Sequence, residues 1–272
     1  NYVKLLDDFS LEECIKKLSA QGNRPKVMEI VHTYGMPAKM NEIMEIASRF
    51  EVTVIEDAAS GIGAHYHETS LGAIADIGIL SFNNNKTITT FGGGALLTKS
   101  KKIYEKVKFL ATQARENKPF YEFNNVGYNY RMGPLNAVYG LSQLKNLKEK
   151  IVARRLIYDQ YTQAMQSVNR VSFQSEPKNY YSSRWLTALL IDTEKKPSLT
   201  NDLVSDELRK LNIESRYLWK PMHMQPVFKG AQQIGGAVSE MLFRTGLCLP
   251  SGSGLSEQEI ERICKIVRNE PR

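Results

Sequence analysis

The stretch that decides the fold is Lys26–Ser60, with the sequence KVMEIVHTYGMPAKMNEIMEIASRFEVTVIEDAAS. Residues 26–32 have a strand-like composition, a turn with glycine and proline follows, and residues 39–50 carry apolar side chains at helical spacing. The short β-branched run 52–55 then ends in a polar segment, as expected for a strand that is buried on both faces. The pattern predicts a β-α-β unit, the building block of a parallel sheet.

The flanking segments extend this unit. Ser10–Glu13 has the S-x-x-E form of a capping box, which predicts a helix that begins at Ser10. Strands are predicted at 77–82 and 94–98, and helices at 101–112, 134–144 and 148–165. Together these elements predict an α/β fold whose open, mainly parallel sheet is sandwiched by helices.

The character of the sequence changes beyond about residue 165. Strands such as 184–192 are separated by longer polar loops, and helical patterns follow at 199–211 and 256–268. We therefore predict a large domain of residues 1–147 and a smaller α+β C-terminal domain of residues 148–272. The alternation His65-Tyr66-His67 favours an exposed hairpin over a metal site, because no third ligand lies close in sequence.

Composition bounds the class of protein. In 272 residues no run approaches the roughly 20 apolar residues of a membrane span, and the first residues lack the pattern of a secretory signal, so we expect a cytoplasmic protein. Cys14, Cys248 and Cys264 are scattered and lack metal-ligand spacing, which favours free thiols. The charge of +7 invites a nucleic-acid interpretation. The densest basic stretch, 145–155, instead has the pattern of a solvated helix face, and an anionic small substrate remains compatible with the charge.

Polar groups with chemical potential follow two of the predicted strands. Asp57 ends one strand and Ser81 the next, and ligands of open α/β sheets bind at such carboxyl ends. Lys86 follows three consecutive asparagines, which favour a sharp turn, and Gly92–Gly94 comes shortly after. The glycines lack the Gly-Lys-Ser/Thr ending of a phosphate-binding P-loop.

These motifs, taken in order, resemble the DegT/DnrJ/EryC1/StrS family of sugar aminotransferases, which have the aspartate-aminotransferase-like fold. The resemblance covers nearly the whole chain, through EDAAS at 56–60, SFNNNKTITTFGGG at 81–94, GYNYRM at 127–132, KPMHMQP at 220–226 and CLPSG at 248–252. It implies the type I fold of enzymes that depend on pyridoxal 5′-phosphate, with that cofactor bound at the carboxyl edge of the large sheet.

The resemblance also implies roles for single residues. Lys86 would hold the cofactor as a Schiff base and, once released, act as the base that moves a proton between donor Cα and cofactor C4′. Asp57 would pair with the pyridine nitrogen, and Ser60 stands beside the ring, where relatives often carry Gln or His. The alternatives are a surface lysine for Lys86 and a helix N-cap for Asp57.

Four further positions match family positions. Ser81 would donate to the cofactor phosphate, and Asn129 would reach that phosphate from the partner subunit, which implies a homodimer with shared active sites. His223 and Trp219 would line the sugar pocket. The alternatives are a strand serine satisfied by backbone, a loop-capping asparagine and an indole that simply packs.

The function that the resemblance implies is amino transfer, from glutamate, to a nucleotide-linked keto sugar such as a 4-keto-6-deoxy hexose, in surface polysaccharide, glycan or antibiotic sugar biosynthesis. Relatives with histidine in place of the lysine dehydrate instead, and Lys86 argues against that branch. Residue 1 falls partway into the family's large domain, so we expect the family's N-terminal segment to be missing. A non-catalytic, cofactor-binding remnant is therefore a second alternative.

Overall fold

The computed structural model describes residues 8–195 and 199–268. Its helices are α1 Asp8–Ala20, α2 Met40–Arg49, α3 Lys101–Ala111, α4 Pro134–Lys145, α5 Leu147–Ala164, α6 Asn201–Lys210, α7 Ala237–Thr245 and α8 Glu257–Arg268. Its strands are β1 Val27–Val31, β2 Thr53–Asp57, β3 His65–Tyr66, β4 Thr69–Ser70, β5 Ile77–Ser81, β6 Gly94–Thr98, β7 Val171–Phe173, β8 Tyr180–Tyr181, β9 Thr187–Ile191, β10 Arg216–Tyr217 and β11 Gly246–Leu249. Among the helices of these two ranges, none could cross a membrane.

The first sheet has the strand order β1-β2-β5-β6. β1, β2 and β5 run parallel, with Val31 opposite Asp57 and Asp57 opposite Ile79, whereas β6 pairs antiparallel with β5. The predicted, mainly parallel sheet is thus confirmed. Because the parallel strands end at one edge, Asp57 of β2 and Ser81 of β5 lie at the same carboxyl end.

Helix α2 packs on this sheet as its sequence pattern predicts. Met40, Ile43 and Ala47 recur at intervals of three and four residues, so they lie on one side of the helix. All three are buried against Ile30 of β1 and Val54 of β2. This packing fixes the β-α-β unit from which the carboxyl edge of the sheet is built.

The second sheet has the order β10-β11-β9-β7 and is antiparallel throughout. Helices α5, α6 and α8 contribute to its core, which includes Tyr161, Leu208 and Ile263. Strand β11 was not predicted from the sequence, although all four of its residues are buried. The proposed domain boundary between residues 147 and 148 falls in the first turn of α5 and stays a prediction.

Two local predictions need correction. Helix α1 already includes Asp8 and therefore Ser10, so the predicted start at Ser10 is wrong. The hairpin at His65–His67 exists as β3 and β4 but is not wholly exposed. Tyr66 is buried, and its ring centroid lies 5.0 Å from that of Tyr180, since β3 also pairs with β8.

Candidate active site

Lys86 stands on the tight turn that follows β5. The Lys86 amide donates to the Asn83 carbonyl oxygen at 3.1 Å, and the Asn84 amide donates to the Asn83 side-chain oxygen at 2.9 Å. The Asn83 amide in turn donates to the hydroxyl of Ser81 at 3.3 Å. The asparagines therefore build the turn, as the sequence predicts, and bring Lys86 to the carboxyl edge of the sheet.

The amine of Lys86 lies between a hydroxyl and an aromatic ring. Its Nζ donates to Ser60 Oγ at 3.2 Å and lies 3.8 Å from the ring centroid of Trp185. Burial lowers the pKa of Lys86, and the negative charge of Asp57 opposes that change. The site therefore increases the fraction of neutral amine relative to an exposed lysine at the same pH.

Asp57 ends β2 and turns the chain toward Ser60. Its Oδ1 accepts a hydrogen bond from the Ala59 amide at 2.9 Å, which is the local bond expected of an aspartate that caps a turn. The same carboxylate acts electrostatically on Lys86. The structure thus brings Asp57, Ser60 and Lys86 together. The residues after Asp57 form a turn, so the alternative of a helix N-cap does not apply.

The preceding residue, Glu56, is fully buried and serves the fold. Its carboxylate accepts hydrogen bonds from His32 Nε2 at 3.0 Å and from the amides of Gly72, Ile74 and Ala75. Burial raises the pKa of Glu56, but the hydrogen bonds from His32 and the amides outweigh burial, so the net pKa is lowered. Glu56 is therefore an ionised anchor for the loop that leads into β5.

The loop at Ser60 is also tied to the second half of the chain. Ser60 is buried, and its carbonyl oxygen accepts a hydrogen bond from Ser183 Oγ at 3.4 Å. Gly35 has φ +89°, and a Cβ there would lie 2.5 Å from Ser183 Oγ and 3.1 Å from the Ser60 carbonyl oxygen. Only glycine allows this close approach.

Trp185 is the site residue that the sequence analysis missed. It is 4% exposed, and its indole Nε1 donates to the carbonyl oxygen of Asn85, the residue before Lys86, at 2.9 Å. The contact joins positions 100 residues apart. No local pattern around Trp185 indicates such a contact, because a tryptophan before a strand is most simply a core residue.

The two proposed phosphate ligands lie in different settings. Ser81 is half-buried beside the Lys86 turn, whereas Asn129 is exposed and forms an isolated β-bridge with Thr112. Asn129 shares a shallow cavity of about 480 Å³ with Gly92–Gly94. Within 8–195 and 199–268, Asn129 makes no hydrogen bond to Asp57, Ser81 or Lys86, and its role stays a prediction.

The two proposed sugar-pocket residues make different contacts. The Trp219 ring centroid lies 4.7 Å from that of Tyr34 and 6.1 Å from that of Trp185, and the Trp219 amide donates to the Tyr34 hydroxyl at 2.8 Å. His223 Nε2 lies 3.1 Å from a carboxylate oxygen of Glu240. Trp219 is therefore in the aromatic group next to Lys86, and the assignment of both residues to substrate stays a prediction.

A cavity of about 460 Å³ adjoins the Lys86 turn. Asn85 and Trp185 form one side, and the other side comes from the second sheet, its loops and helix α8, including Arg216, Ser251 and Arg262. A volume of this size is within the range of small-molecule pockets. Asn85 and Trp185 are the residues through which this cavity meets the centre, whereas Lys86, Asp57 and Ser60 do not line it.

Comparison with known proteins identifies the family. The model of the DegT/DnrJ/EryC1/StrS aminotransferase family matches residues 6–268. EpsN of Bacillus subtilis, by its name a candidate pyridoxal phosphate-dependent aminotransferase, is 40% identical over 262 residues, which are 95% of this chain and 66% of EpsN. The GDP-perosamine synthase of Caulobacter vibrioides is 34% identical over 244 residues, 88% of this chain and 64% of the synthase.

A solved structure agrees with this result. The structure of a DegT DnrJ EryC1 StrS aminotransferase from Brucella abortus matches with a TM-score of 0.87 and 26% identity, covering 97% of this chain and 69% of that protein. The chain spans about two thirds of the length of the curated relatives it matches. By sequence and by fold, the chain belongs to the DegT/DnrJ/EryC1/StrS aminotransferase family.

Proposed function

We propose that this chain carries the catalytic lysine of an aminotransferase that depends on pyridoxal 5′-phosphate. The proposed reaction transfers an amino group from glutamate to a nucleotide-linked keto sugar, a 4-keto-6-deoxy hexose. The observation that carries the proposal is the setting of Lys86. Its half-buried amine donates to Ser60 Oγ at 3.2 Å, and the negative charge of Asp57 acts on it. Family membership supports the same chemistry.

The residues at the centre fit this cofactor. Condensation with an aldehyde needs an amine with a neutral fraction, which burial of Lys86 favours. A pyridine nitrogen needs a carboxylate partner, which Asp57 offers, and the phenolic and phosphate oxygens need donors such as the hydroxyls of Ser60 and Ser81. The Thr87 hydroxyl is also buried and has no hydrogen-bond partner among the described residues. Lys86, Asp57, Ser60 and Ser81 would hold the cofactor.

The chain's own residues supply proton transfer and orientation. When bound, pyridoxal phosphate supplies an electron sink and carries the amino group between donor and acceptor. Lys86 Nζ takes the proton from the donor Cα, for which it must be neutral, so the lowered pKa of Lys86 increases the reactive fraction. Ser60 Oγ orients that amine, and Asp57 maintains the positive charge that the electron sink requires.

The substrate proposal rests on the relatives and on the pocket beside Trp219. One relative is by name a GDP-perosamine synthase, which supports a nucleotide-linked amino sugar as the product. We assign Trp219 and His223 to the sugar pocket. Trp219 is 47% exposed beside the buried Trp185, so it offers an aromatic face to a ligand near Lys86.

A homodimer is part of the proposal. Leu135, Val138 and Leu141 of α4 are 86%, 65% and 62% exposed, and their spacing puts them on one side of the helix. Exposed apolar patches of this kind mark interaction surfaces, and two-fold symmetric pairs are the commonest assemblies. We propose that a second copy covers this face and that Asn129, just before α4, completes the partner's phosphate site.

Covalent labelling tests the cofactor role. We expect an absorbance band in the visible range after addition of pyridoxal phosphate, and after borohydride reduction the modified peptide should contain Lys86. Lys86→Ala should lose both signals, whereas Lys99→Ala, at an exposed position, should keep them. A label on another lysine would refute the assignment.

Product analysis and subunit mixing test the rest. With glutamate and a nucleotide-linked 4-keto-6-deoxy sugar, mass spectrometry should find an amine, whereas loss of a hydroxyl would support the dehydration alternative.

If Asn129 acts across the dimer, a one-to-one mixture of Lys86→Ala and Asn129→Ala subunits should recover about a quarter of wild-type activity, because half of the pairs are mixed and each has one intact site. No recovery would refute shared sites.

A further inference from the structure

Trp185 and Ser60 surround the Lys86 amine without a carboxylate in direct contact. Nζ lies 3.8 Å from the Trp185 ring centroid and 3.2 Å from Ser60 Oγ, and within the described ranges no acidic oxygen lies within 4 Å of it. A hydroxyl can accept from an ammonium group or donate to a neutral amine, and an aromatic face favours the ammonium. The charge of Asp57 acts on the amine from farther away and favours the ammonium form. This surrounding therefore accommodates both protonation states of the amine.

The backbone at Trp185 needs external support. Trp185 lies two residues before β9, outside the hydrogen bonds of the sheet, and follows Arg184, whose φ of +47° is unusual for a residue with a side chain. A guanidinium nitrogen of Arg154, on α5, donates to the Trp185 carbonyl oxygen at 2.6 Å and to the Ser251 carbonyl oxygen at 2.8 Å. One buried side chain thus joins Trp185 to the segment that follows β11.

Arg154 is an unusual residue for this position. It is 9% exposed, and among the described residues no carboxylate pairs with it and its Nε has no partner. Burial lowers the pKa of Arg154 to about 10. Burying a guanidinium without a counter-ion is unfavourable. What Arg154 contributes to the structure in return is its two hydrogen bonds to carbonyl oxygens, one of them that of Trp185.

We propose that the Trp185 ring and the Ser60 hydroxyl form the docking place of the Lys86 amine whenever it is not joined to the cofactor, and that Arg154 is a positioning residue for Trp185. A base that gains and loses a proton in every cycle needs a place that holds it in both states. The indole bond from Trp185 Nε1 to Asn85 fixes the ring relative to the lysine turn. The inference rests on the proposed role of Lys86.

The test measures the pH dependence of acetylation at Lys86 in the cofactor-free full chain. Acetic anhydride reacts with neutral amines, peptide mass spectrometry follows Lys86, and the exposed Lys99 serves as internal reference. Trp185→Met keeps an apolar side chain but removes the aromatic face. In this variant we expect the midpoint of the curve of Lys86 acetylation rate against pH to move to lower pH, and the acetylation rate at pH values below the midpoint to rise about threefold. Trp185→Phe, which keeps an aromatic face but loses the bond to Asn85, should give a midpoint between those of Trp185→Met and wild type.

The direction of the midpoint separates docking from mere exposure. If Trp185 only shields Lys86 from solvent, its removal should move the midpoint up, toward that of an ordinary lysine, and an upward move or no change would overturn the docking place. Borohydride trapping of pyridoxal phosphate on the same variants is read separately. If no pyridoxal phosphate is trapped on Lys86 in wild type, the proposed function is wrong. The acetylation result would still decide whether Trp185 holds the amine.

Variants on α5 test Arg154. Arg154→Met should move the acetylation midpoint in the same direction as Trp185→Met, and Arg154→Lys, which can still donate to carbonyl oxygens, should restore it in part. Arg155→Met is the matched control, since Arg155 pairs with Glu176 and a different carbonyl oxygen, and it should lower thermal stability without moving the midpoint. An unchanged midpoint in Arg154→Met, or an equal move in Arg155→Met, would overturn the positioning role. If Arg154→Met does not fold, the acetylation midpoint of Arg154→Lys is compared with that of wild type to decide whether Arg154 positions Trp185.

Discussion

Replacing Glu56 with glutamine should strongly destabilise the protein, although the two side chains have nearly the same shape. His32 Nε2 and the Gly72 amide donate to one carboxylate oxygen, and the amides of Ile74 and Ala75 donate to the other. Glutamine offers one oxygen and one NH2 group, so two buried donors lose their acceptor. At about 1–3 kcal/mol for each, we expect the free energy of unfolding to fall by about 4 kcal/mol.

Urea denaturation at neutral pH and at acid pH would measure this effect. Because the pKa of Glu56 is lowered in the folded protein, its stabilisation is present above the unfolded value of 4.5 and is lost as pH falls through the lower folded pKa. The stability difference between wild type and Glu56→Gln should therefore shrink in acid. The control is Glu29→Gln on the neighbouring strand β1, where the side chain is exposed and the change should stay within about 0.5 kcal/mol.

Two outcomes would refute this reasoning. A loss below about 1 kcal/mol at neutral pH would mean that the loop rearranges to satisfy its amides without the carboxylate. A difference that does not change with pH would mean that the pKa of Glu56 is the same in the folded and in the unfolded protein. Either result would remove Glu56 as the anchor of the loop before β5.

Two further predictions concern the junction between the two halves of the chain and its thiols. Gly35→Ala should lower the free energy of unfolding by about 3 kcal/mol, because φ is +89° and the new Cβ would lie 2.5 Å from Ser183 Oγ; unchanged urea denaturation would contradict this. Burial raises the pKa of Cys248 to about 12, so iodoacetamide should modify the half-buried Cys14 first in the native protein, and equal rates in a peptide-mapping time course would contradict that order.

Local patterns predicted the elements that position the site. The β-branched run before Asp57 and the asparagines before Lys86 carry their information within a few residues, and the structure has a strand and a turn there. Glu56 could have been found in the same way, because alternation along a strand turns it to the face opposite Asp57.

Contacts between distant parts of the chain were not predictable from one sequence. The bonds from Trp185 to Asn85 and from Arg154 to Ser251 join positions 100 and 97 residues apart. Each residue looks ordinary in its own segment, a tryptophan before a strand and an arginine within a basic helix. Strand β11 was missed for a related reason, since four buried residues are too few to show a period.

The adjacent carboxylates of β2 make the register of this strand critical. Glu56 and Asp57 follow one another in sequence but serve opposite sides of the strand, one as an anchor within the protein and one beside an amine. A single inserted or deleted residue in β2 would exchange their sides, leaving the four donors around the anchor unmatched. Stability and catalysis would then be lost together, because only one register of β2 places both acids correctly.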